Sequence, residues 1–228
     1  AQLLRSLSNT LQVAVLATLA TLACALVVVW ALRLARARRQ ARVEAASLRV
    51  ASLGYAIPGT VLALGLLASF GALDAGFAAA MAPLGVAPRL WLMGSVTALV
   101  GAYVLRFLAI ALGNLEAGME RIAPAIDDAA RGLGRRPGAI LGRIHLPLLR
   151  PALAAAALLV FVDVMKELPA TLMLRPIGFE TLATWLYADA ARGAYEEGAI
   201  AALLIVVAGI GPVILLARAG HRIGRRAP

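Results

Sequence analysis

The chain has 228 residues, of which 62% are apolar and 15% are charged, and its mean hydropathy is +0.87. A soluble domain of average composition is much less apolar, so these values indicate a protein that crosses a membrane several times. The net charge of +10 does not indicate nucleic-acid binding, because the arginines lie between apolar segments and form no basic face interleaved with aromatic and polar residues.

The first apolar segment, residues 8–32, contains no charged residue and is long enough to cross about 30 Å of hydrocarbon. A cluster of arginines follows it, whereas a secretory signal carries its positive charge in front, so we expect the chain to retain this helix. The single cysteine, Cys24, lies inside it and excludes an intrachain disulfide.

Residues 50–71 and 90–112 form the second and third predicted spans. In the second, Tyr55 precedes a Pro-Gly pair, which predicts either a packing kink or an opening toward a cavity. Residues 71–89 carry one acid, one base and two prolines and read as a short outer loop. Arg106 falls inside the third span, and we expect its guanidinium to reach the headgroups, with a place on the solute pathway as the alternative.

The fourth span is expected at residues 151–168, beginning at Pro151 because a proline is favoured in the first turn of a helix. Its apolar run is too short to cross alone, so Asp163 and Glu167 must lie within it or at its outer mouth. Each charge costs about 3 kcal/mol at the bilayer centre and should face protein, water or another charge. Asp163 and Lys166 are three residues apart and can pair, and contact with a solute is the alternative.

Residues 170–197 read as an outer segment, and the uncharged run 198–217 is the fifth span. Segments 33–49, 113–150 and 218–226 hold sixteen of the twenty-two basic residues. The positive-inside rule therefore predicts one transmembrane domain over residues 1–228, with the N-terminus outside and the C-terminus in the cytoplasm. Because the chain starts on the outer side without a methionine, we expect a further segment upstream.

The sequence shows no catalytic constellation and no metal-binding cluster, since its two histidines, His145 and His221, both lie among arginines. It also lacks a glycine-rich loop ending in Gly-Lys-Ser/Thr, the device that cradles nucleotide phosphates. We therefore expect no enzyme activity and no cofactor in this chain, so that any ATP and magnesium must be bound and used by a partner.

Residues 124–151 contain the most informative spacing in the sequence. An Asp-Ala-Ala triplet is followed after three residues by glycine, and nine residues later by Ile-x-Leu-Pro. The pattern resembles the cytoplasmic loop signature of type I ABC importer permeases, Glu-Ala-Ala-x3-Gly-x9-Ile-x-Leu-Pro, with aspartate where the family usually has glutamate. The positions that carry the match are Asp128, Ala129, Ala130, Gly134, Ile144, Leu146 and Pro147.

The resemblance implies an all-α membrane protein of about five transmembrane helices with a cytoplasmic coupling helix-turn-helix in residues 113–150. It implies that the seven matching residues couple the membrane domain to ATPase subunits, which hydrolyse ATP with magnesium. It also implies a second permease half, an extracytoplasmic solute-binding protein and a place in the bacterial inner membrane. Pro124 and Pro137 suit helix starts, and Gly134 suits a sharp reversal between them, which agrees with the resemblance.

Three longer segments, SLGYAIPGTVLALG, AYVLRFLAIALGNLEAG and DVMKELPATLMLRPIGFETLATWLY, are similar to the C-terminal half of ferric iron permeases. This implies passage of ferric iron between two permease halves, with the binding protein docking on residues 170–197. Tyr55, Asp163 and Glu167 are then candidates for the translocation path, because a hard cation prefers oxygen ligands. The alternatives are a permease for thiamine, polyamine or an inorganic anion, and a channel or secondary transporter that works without ATP.

Overall fold

The computed structural model describes residues 2–37, 57–85, 87 and 90–224, and every regular element in these residues is helical. The helices are α1 Gln2–Ala37, α2 Gly59–Met81, a 3-10 turn Ala82–Leu84, α3 Val96–Glu120, α4 Pro124–Gly132, α5 Pro137–Ile140, a π-helical turn Leu141–His145, α6 Leu146–Met165, α7 Pro169–Leu174, α8 Leu182–Ala191 and α9 Tyr195–Gly224.

Four helical segments of the described chain are long and apolar enough to cross a membrane: Gln2–Ala37, Gly59–Leu84, Val96–Glu120 and Pro137–Met165. The run 198–217, expected as a fifth span, lies within α9, a helix of 30 residues. The all-α membrane fold expected from the sequence is therefore confirmed.

Asp74 accounts for the first difference between the expected and the observed helix bounds. Helix α2 continues to Met81, through much of the segment 71–89 that was expected to be a loop, although it contains this charged residue. Asp74 is 1% exposed, and its carboxylate accepts the backbone N–H groups of residues 91–93 at 2.8–3.2 Å. Because these bonds satisfy the carboxylate, the acid does not end the helix.

The same contact delays the start of the third helix, which was expected at residue 90. The amides of residues 91–93 are committed to Asp74, and α3 begins only after Ser95. The Ser95 hydroxyl accepts the N–H of Ala98 at 3.0 Å and caps the helix. The prediction that the third span begins at residue 90 is therefore wrong by about two helical turns of chain.

Pro151 was expected to start the fourth span, but it lies inside α6. The helical path begins at Pro137 and passes through the π-helical turn into α6. The turn before Pro151 is held in place because Leu149 is fully buried in the core. Membrane helices tolerate an internal proline when neighbouring helices support the backbone, so here packing overrides the local preference.

Helices α1, α3 and α6 pack against one another and form the centre of the bundle. Small side chains at their contacts allow the backbones to approach closely, as is common between membrane helices. The fully buried alanines of these helices are Ala14, Ala17, Ala25, Ala102, Ala111 and Ala156. At Gly118 the backbone of α3 approaches α6 so closely that an added Cβ would lie 2.6 Å from the Cβ of Ala152.

The two ends of α1 contact different parts of the chain. Near its N-terminus, Thr10 accepts the N–H of Leu182 at 2.8 Å, and Asn9 donates to the Glu180 carbonyl at 2.9 Å. Near its C-terminus, Arg33 pairs with Asp127 in α4. The segment that contains α8 and the segment that contains α4 therefore lie at opposite ends of the bundle.

Candidate functional site

The connection between α3 and α6 folds as a compact helix-turn-helix because prolines start its helices and glycine reverses the chain. Pro124 and Pro137 occupy the first turns of α4 and α5, where the missing N–H needs no partner. Gly134 has φ +75°, and its N–H donates to the Arg131 carbonyl at 2.9 Å. This left-handed residue ends α4 and turns the chain back toward the bundle.

Helix α4 has one face against the bundle and one face exposed. Asp127 and Ala130 are buried, at 7% and 5% exposure. On the other side Leu133 is 82% exposed, and the side chain of Asp128 is 72% exposed. The two adjacent aspartates are therefore in opposite environments.

The seven residues that match the coupling signature divide in the same way. Ala130 is buried, and Ile144 and Leu146 are half-buried where the chain re-enters the bundle. The exposed members are Asp128, Ala129, Gly134 and Pro147. The structure thus places an exposed turn, composed mostly of small residues, beside the buried residues that attach it to the bundle.

Asp127 is the centre of the buried side, and sequence reasoning did not select it. Its Oδ2 lies 2.8 Å from Nε of Arg33, and its Oδ1 lies 2.7 Å from Nε2 of His145. The signature match drew attention to the neighbouring Asp128. The available signal was helical spacing, since Asp127 and Ala130 are three residues apart and share a face.

Arg33 connects Asp127 to the end of α3 as well as to α1. Its Nη2 donates to the Ile122 carbonyl at 2.8 Å, and its Nη1 donates to the Met119 carbonyl at 3.5 Å. These carbonyls belong to the last turn of α3 and the residues just after it, where helix carbonyls lack intrahelical partners. One guanidinium therefore joins α1, the end of α3 and α4.

His145 is fully buried in the last position of the π-helical turn. Its ring packs edge-on against Trp30 of α1, with 5.1 Å between the ring centroids. Its Nδ1 has no hydrogen-bond partner among the described residues. The contact with Asp127 through Nε2 is thus the polar interaction that orients this ring.

The charge state of Asp127 follows from these partners. Burial raises the pKa of this carboxyl, but hydrogen bonds from Arg33 and His145, with the Arg33 charge, hold the pKa below its ordinary value of 3.8. Asp127 is therefore ionised at neutral pH, and Nε2 of His145 is the donor in the bond between them.

A second ion pair reinforces the same end of the bundle. Arg36 of α1 lies 2.6 Å from Glu116 of α3, measured from Nη2 to Oε1. On the exposed side of α4, Arg131 pairs with Asp128 at 2.6 Å. A cleft of about 320 Å³ lies between these groups, lined in part by Arg33, Arg36 and Asp128.

The candidate residues of the translocation path lie elsewhere. Tyr55 is outside the described residues. Asp163 pairs with Lys166, 2.7 Å from Oδ1 to Nζ, which confirms the expected i,i+3 contact. Glu167 is 6% exposed, and its Oε2 lies 2.9 Å from Nε of Arg106. The structure gives Asp163 and Glu167 separate cationic partners.

The guanidinium of Arg106 was expected to reach the headgroups, but it does not extend in that direction. It folds back inside the bundle against Gly59, where an added Cβ would lie 2.6 Å from its Nη1. Its partner Glu167 also accepts the N–H of Ala170 through Oε1 at 3.2 Å, across the break between α6 and α7. A buried carboxylate is a stronger attraction for this guanidinium than a long path to solvent.

At the opposite end, α8 and the N-terminal turns of α1 enclose a polar cleft of about 380 Å³, lined in part by Arg5, Glu180, Trp185 and Asp189. Burial raises the pKa of Glu180, but hydrogen bonds from Arg175 and Thr184 outweigh it, so the pKa lies below its ordinary value.

Within the part of the chain that the structure describes, no group of three or more His, Cys, Asp or Glu side chains is placed to hold a metal ion.

Residues 27–225 match the family described as the binding-protein-dependent transport system inner membrane component. The chain belongs to this family. The resemblance to ABC importer permeases drawn from the coupling signature is thereby confirmed at the level of the family.

Similar proteins of this family include two curated transport components. The chain is 30% identical, over 215 residues, to the Fe(3+)-transport system permease protein FbpB 2 of Haemophilus influenzae, covering 94% of this chain and 39% of that protein. It is 29% identical, over 174 residues, to the putative 2-aminoethylphosphonate transport system permease protein PhnV of Salmonella typhimurium, covering 76% of this chain and 60% of that one. The chain thus spans less than two thirds of the length of either relative.

Solved structures of ABC transporters share the fold of this inner membrane component. A bacterial alginate ABC transporter, in complex with an alginate pentasaccharide-bound periplasmic protein, superposes with a TM-score of 0.75 at 16% identity, over 96% of this chain and 78% of that one. The MetNI methionine ABC transporter, in inward-facing conformations, superposes with a TM-score of 0.67 at 19% identity, over 98% and 94%. At these identities the comparison establishes the fold alone.

Proposed function

We propose that the chain is a permease subunit of an ATP-driven importer, and that the exposed side of α4 is where an ATPase subunit docks. The observation that carries the proposal is the two-sided construction of this nine-residue helix. One side is fixed to the bundle through Asp127 and Ala130, and the other presents Asp128, Ala129 and the turn at Gly134.

The exposed side suits contact with a protein. Ala129 and Gly134 add little bulk, so a partner's backbone can approach closely. Leu133 offers an apolar side chain that is 82% exposed, and a partner would remove it from water. Asp128 is available to a basic group, and its present partner, Arg131, is an exposed neighbour in the same helix. Exposed pairs of this kind are weak enough to be exchanged.

The remaining parts of the importer follow from this assignment. ATP and magnesium belong to the ATPase, a second permease half completes the pathway, and residues 170–197 receive an extracytoplasmic binding protein. In the bacterial inner membrane, the N-terminus of this chain lies outside and its C-terminus lies in the cytoplasm. The placement of α4 and α8 at opposite ends of α1 supports this arrangement.

Ferric iron is the proposed solute, supported by the 30% identity to the Fe(3+)-transport permease. Tyr55, Asp163 and Glu167 would offer oxygen ligands along the path. The similarity to the 2-aminoethylphosphonate permease supports a phosphonate as the second candidate. Thiamine, polyamine and inorganic anion permeases belong to the same class, and an ATP-independent channel or secondary transporter is the alternative from another class.

Docking is tested with the intact permease that contains this chain, co-expressed with its ATPase. Ala129→Glu and Gly134→Glu should abolish co-purification of the ATPase, because each adds a bulky charge at the close-contact surface. Ala191→Glu is the matched control, since this alanine is also exposed but lies at the end of α8, at the other end of the bundle. Retention of the ATPase by both α4 variants would contradict the proposed docking surface.

The solute is tested by uptake into proteoliposomes that contain the permease, the ATPase and the cognate binding protein. We expect ATP-dependent accumulation of radioactive ferric iron and none of 2-aminoethylphosphonate. Accumulation of the phosphonate alone would show that the solute is the phosphonate and not iron, and it would leave the importer assignment intact. Accumulation of either solute without ATP would favour a channel or secondary transporter.

A further inference from the structure

We propose that Asp127 is the positioning residue that transmits motion from the docking helix α4 to the membrane helices. The inference rests on the proposed function, because it assumes that an ATPase moves α4. It assigns a separate role to each of the two adjacent aspartates: Asp128 faces the partner, and Asp127 carries the movement inward.

The two carboxylates lie in different surroundings. Consecutive residues of an α-helix are about 100° apart around the axis, so Asp127 and Asp128 cannot serve the same surface. The side chain of Asp128 is 72% exposed and that of Asp127 is 11% exposed. A docked partner could reach the first, whereas the second is covered by the chain's own helices.

The partners of Asp127 come from different parts of the bundle. Each carboxylate oxygen is bound by a different part of the bundle: Oδ2 by Arg33 of α1, and Oδ1 by His145 at the entry to α6. Arg33 also holds the end of α3 through the Ile122 carbonyl. One carboxylate is therefore attached to the three helices that form the centre of the fold.

Helix α4 has little else to hold its orientation. A nine-residue helix is not stable in isolation, so its position depends on tertiary contacts. Besides Asp127, its buried residue is Ala130, whose methyl group restrains rotation weakly. Two charge-assisted hydrogen bonds, both accepted by this carboxylate, fix the position and the rotation of the helix.

Burying the ion pair of Asp127 and Arg33 has an energetic cost. Taking a carboxylate and a guanidinium out of water is expensive, and apolar residues often stabilise a buried site as well or better. Buried ion pairs are best explained where they fix one geometry out of several. A rigid link between a docking surface and three membrane helices requires a fixed geometry of this kind.

The test uses Asp127→Asn in the complete importer, because the amide keeps the shape and removes the charge. Uptake of radioactive ferric iron and of 2-aminoethylphosphonate is measured in parallel with ATP hydrolysis. We expect the ATPase to co-purify as it does with the wild type and to keep hydrolysing ATP. The number of solute molecules taken up per ATP should fall at least about fivefold, the lower end of typical coupling between sites. General damage to folding would lower uptake and hydrolysis together and leave this ratio unchanged.

Two further variants keep the test decisive if Asp127→Asn folds poorly. His145→Gln retains a hydrogen-bond donor for Oδ1 of Asp127 and should keep most of the ratio of solute taken up to ATP hydrolysed. His145→Leu removes the donor and should lower this ratio. Asp128→Asn should weaken ATPase binding. Glu120→Gln is the matched control for the ratio, because this acid lies at the same end of the bundle with its side chain 61% exposed, and it should leave the ratio unchanged.

The failures of the two proposals are distinguishable. An unchanged ratio in both Asp127→Asn and His145→Leu would overturn the role of Asp127 and leave the docking proposal standing. Loss of ATPase binding in Asp127→Asn with an intact membrane domain would also overturn it, because Asp127 would then belong to the docking surface. A wild-type permease that binds no ATPase would overturn the proposed function itself.

Discussion

Arg106 of α3 and Glu167, at the break between α6 and α7, form an ion pair inside the helical bundle, with 2.9 Å between Nε and Oε2. The two residues are 61 positions apart in the sequence and lie in segments expected to cross the membrane. Glu167 also accepts the N–H of Ala170. The pair therefore fixes α3 against the short helix α7, and each charge offsets part of the cost of burying the other.

Glu167→Gln should destabilise the protein by about 3–5 kcal/mol, because it leaves the guanidinium of Arg106 buried without a counter-charge. Thermal unfolding of the purified permease in detergent measures the loss. The double variant Arg106→Met with Glu167→Gln should recover most of the stability, since no unpaired charge remains. A double variant as unstable as Glu167→Gln would contradict this account.

The same double variant also tests Glu167 as a residue of the translocation path. If its stability returns and solute uptake returns as well, the pair has a structural role only. If stability returns while uptake remains lost, at least one of the two charges is needed for transport, and Arg106→Met alone then separates the guanidinium from the carboxylate.

Asp127 should stabilise the protein over a defined pH range. Its pKa in the folded protein lies below the ordinary value of 3.8, so its contribution is complete above about pH 5 and is lost as the pH falls through the folded-state value. Asp127→Asn should therefore cost stability at neutral pH, and the part of this cost that comes from the carboxylate charge should shrink below about pH 4. Asp128→Asn, on the exposed side, should change stability by less than about 0.5 kcal/mol at neutral pH. A cost of Asp127→Asn that grew as the pH fell below about 4 would have the wrong sign.

Gly118→Ala should separate α3 from α6, because the new Cβ would lie 2.6 Å from the Cβ of Ala152 and 3.0 Å from Cδ2 of Leu149. We expect a loss of about 1–3 kcal/mol in the free energy of unfolding, typical of overpacking. Gly113→Ala is the matched control in the same helix, since nothing lies within 4 Å of its added Cβ. The control should be neutral or stabilising, as alanine is the better helix former. Equal melting temperatures for the two variants would contradict the close approach at Gly118.

Asp74→Leu should loosen the connection between α2 and α3, because the backbone amides of residues 91–93 lose their acceptor. Hydrogen bonds to a charged group contribute about 1.5–3 kcal/mol, so we expect a lower melting temperature. Hydrogen exchange should also become faster at these three amides. Asp74→Asn keeps one carbonyl oxygen as an acceptor and should show an intermediate effect. Unchanged exchange at residues 91–93 in Asp74→Leu would show that the carboxylate is not their acceptor.

Patterns local in the sequence predicted much of the fold. The turn at Gly134, the helix starts at Pro124 and Pro137, and the pairing of Asp163 with Lys166 depend on residues close together in the chain, and the structure has all four. The family resemblance likewise came from fixed spacing within residues 128–147.

The features that sequence reasoning missed depend on partners distant in the chain. Asp74 stays inside a helix because of amides seventeen to nineteen residues later. Arg106 is held by Glu167, and Asp127 by Arg33, 94 residues away. Pro151 lies within a helix because buried neighbours hold its backbone. A single sequence shows the composition and the spacing of apolar residues, but it does not show which buried charges pair in the folded protein.

Helix α1 is attached at both ends, through Asn9 and Thr10 near one end and through Arg33 near the other. Asn9 and Arg33 are separated by about 36 Å along the axis at 1.5 Å per residue. A helix is stiff over this length, so a tilt of α1 moves both of its ends. We expect a tilt of its Arg33 end to displace residues 180–182, which it contacts at the other end of the bundle.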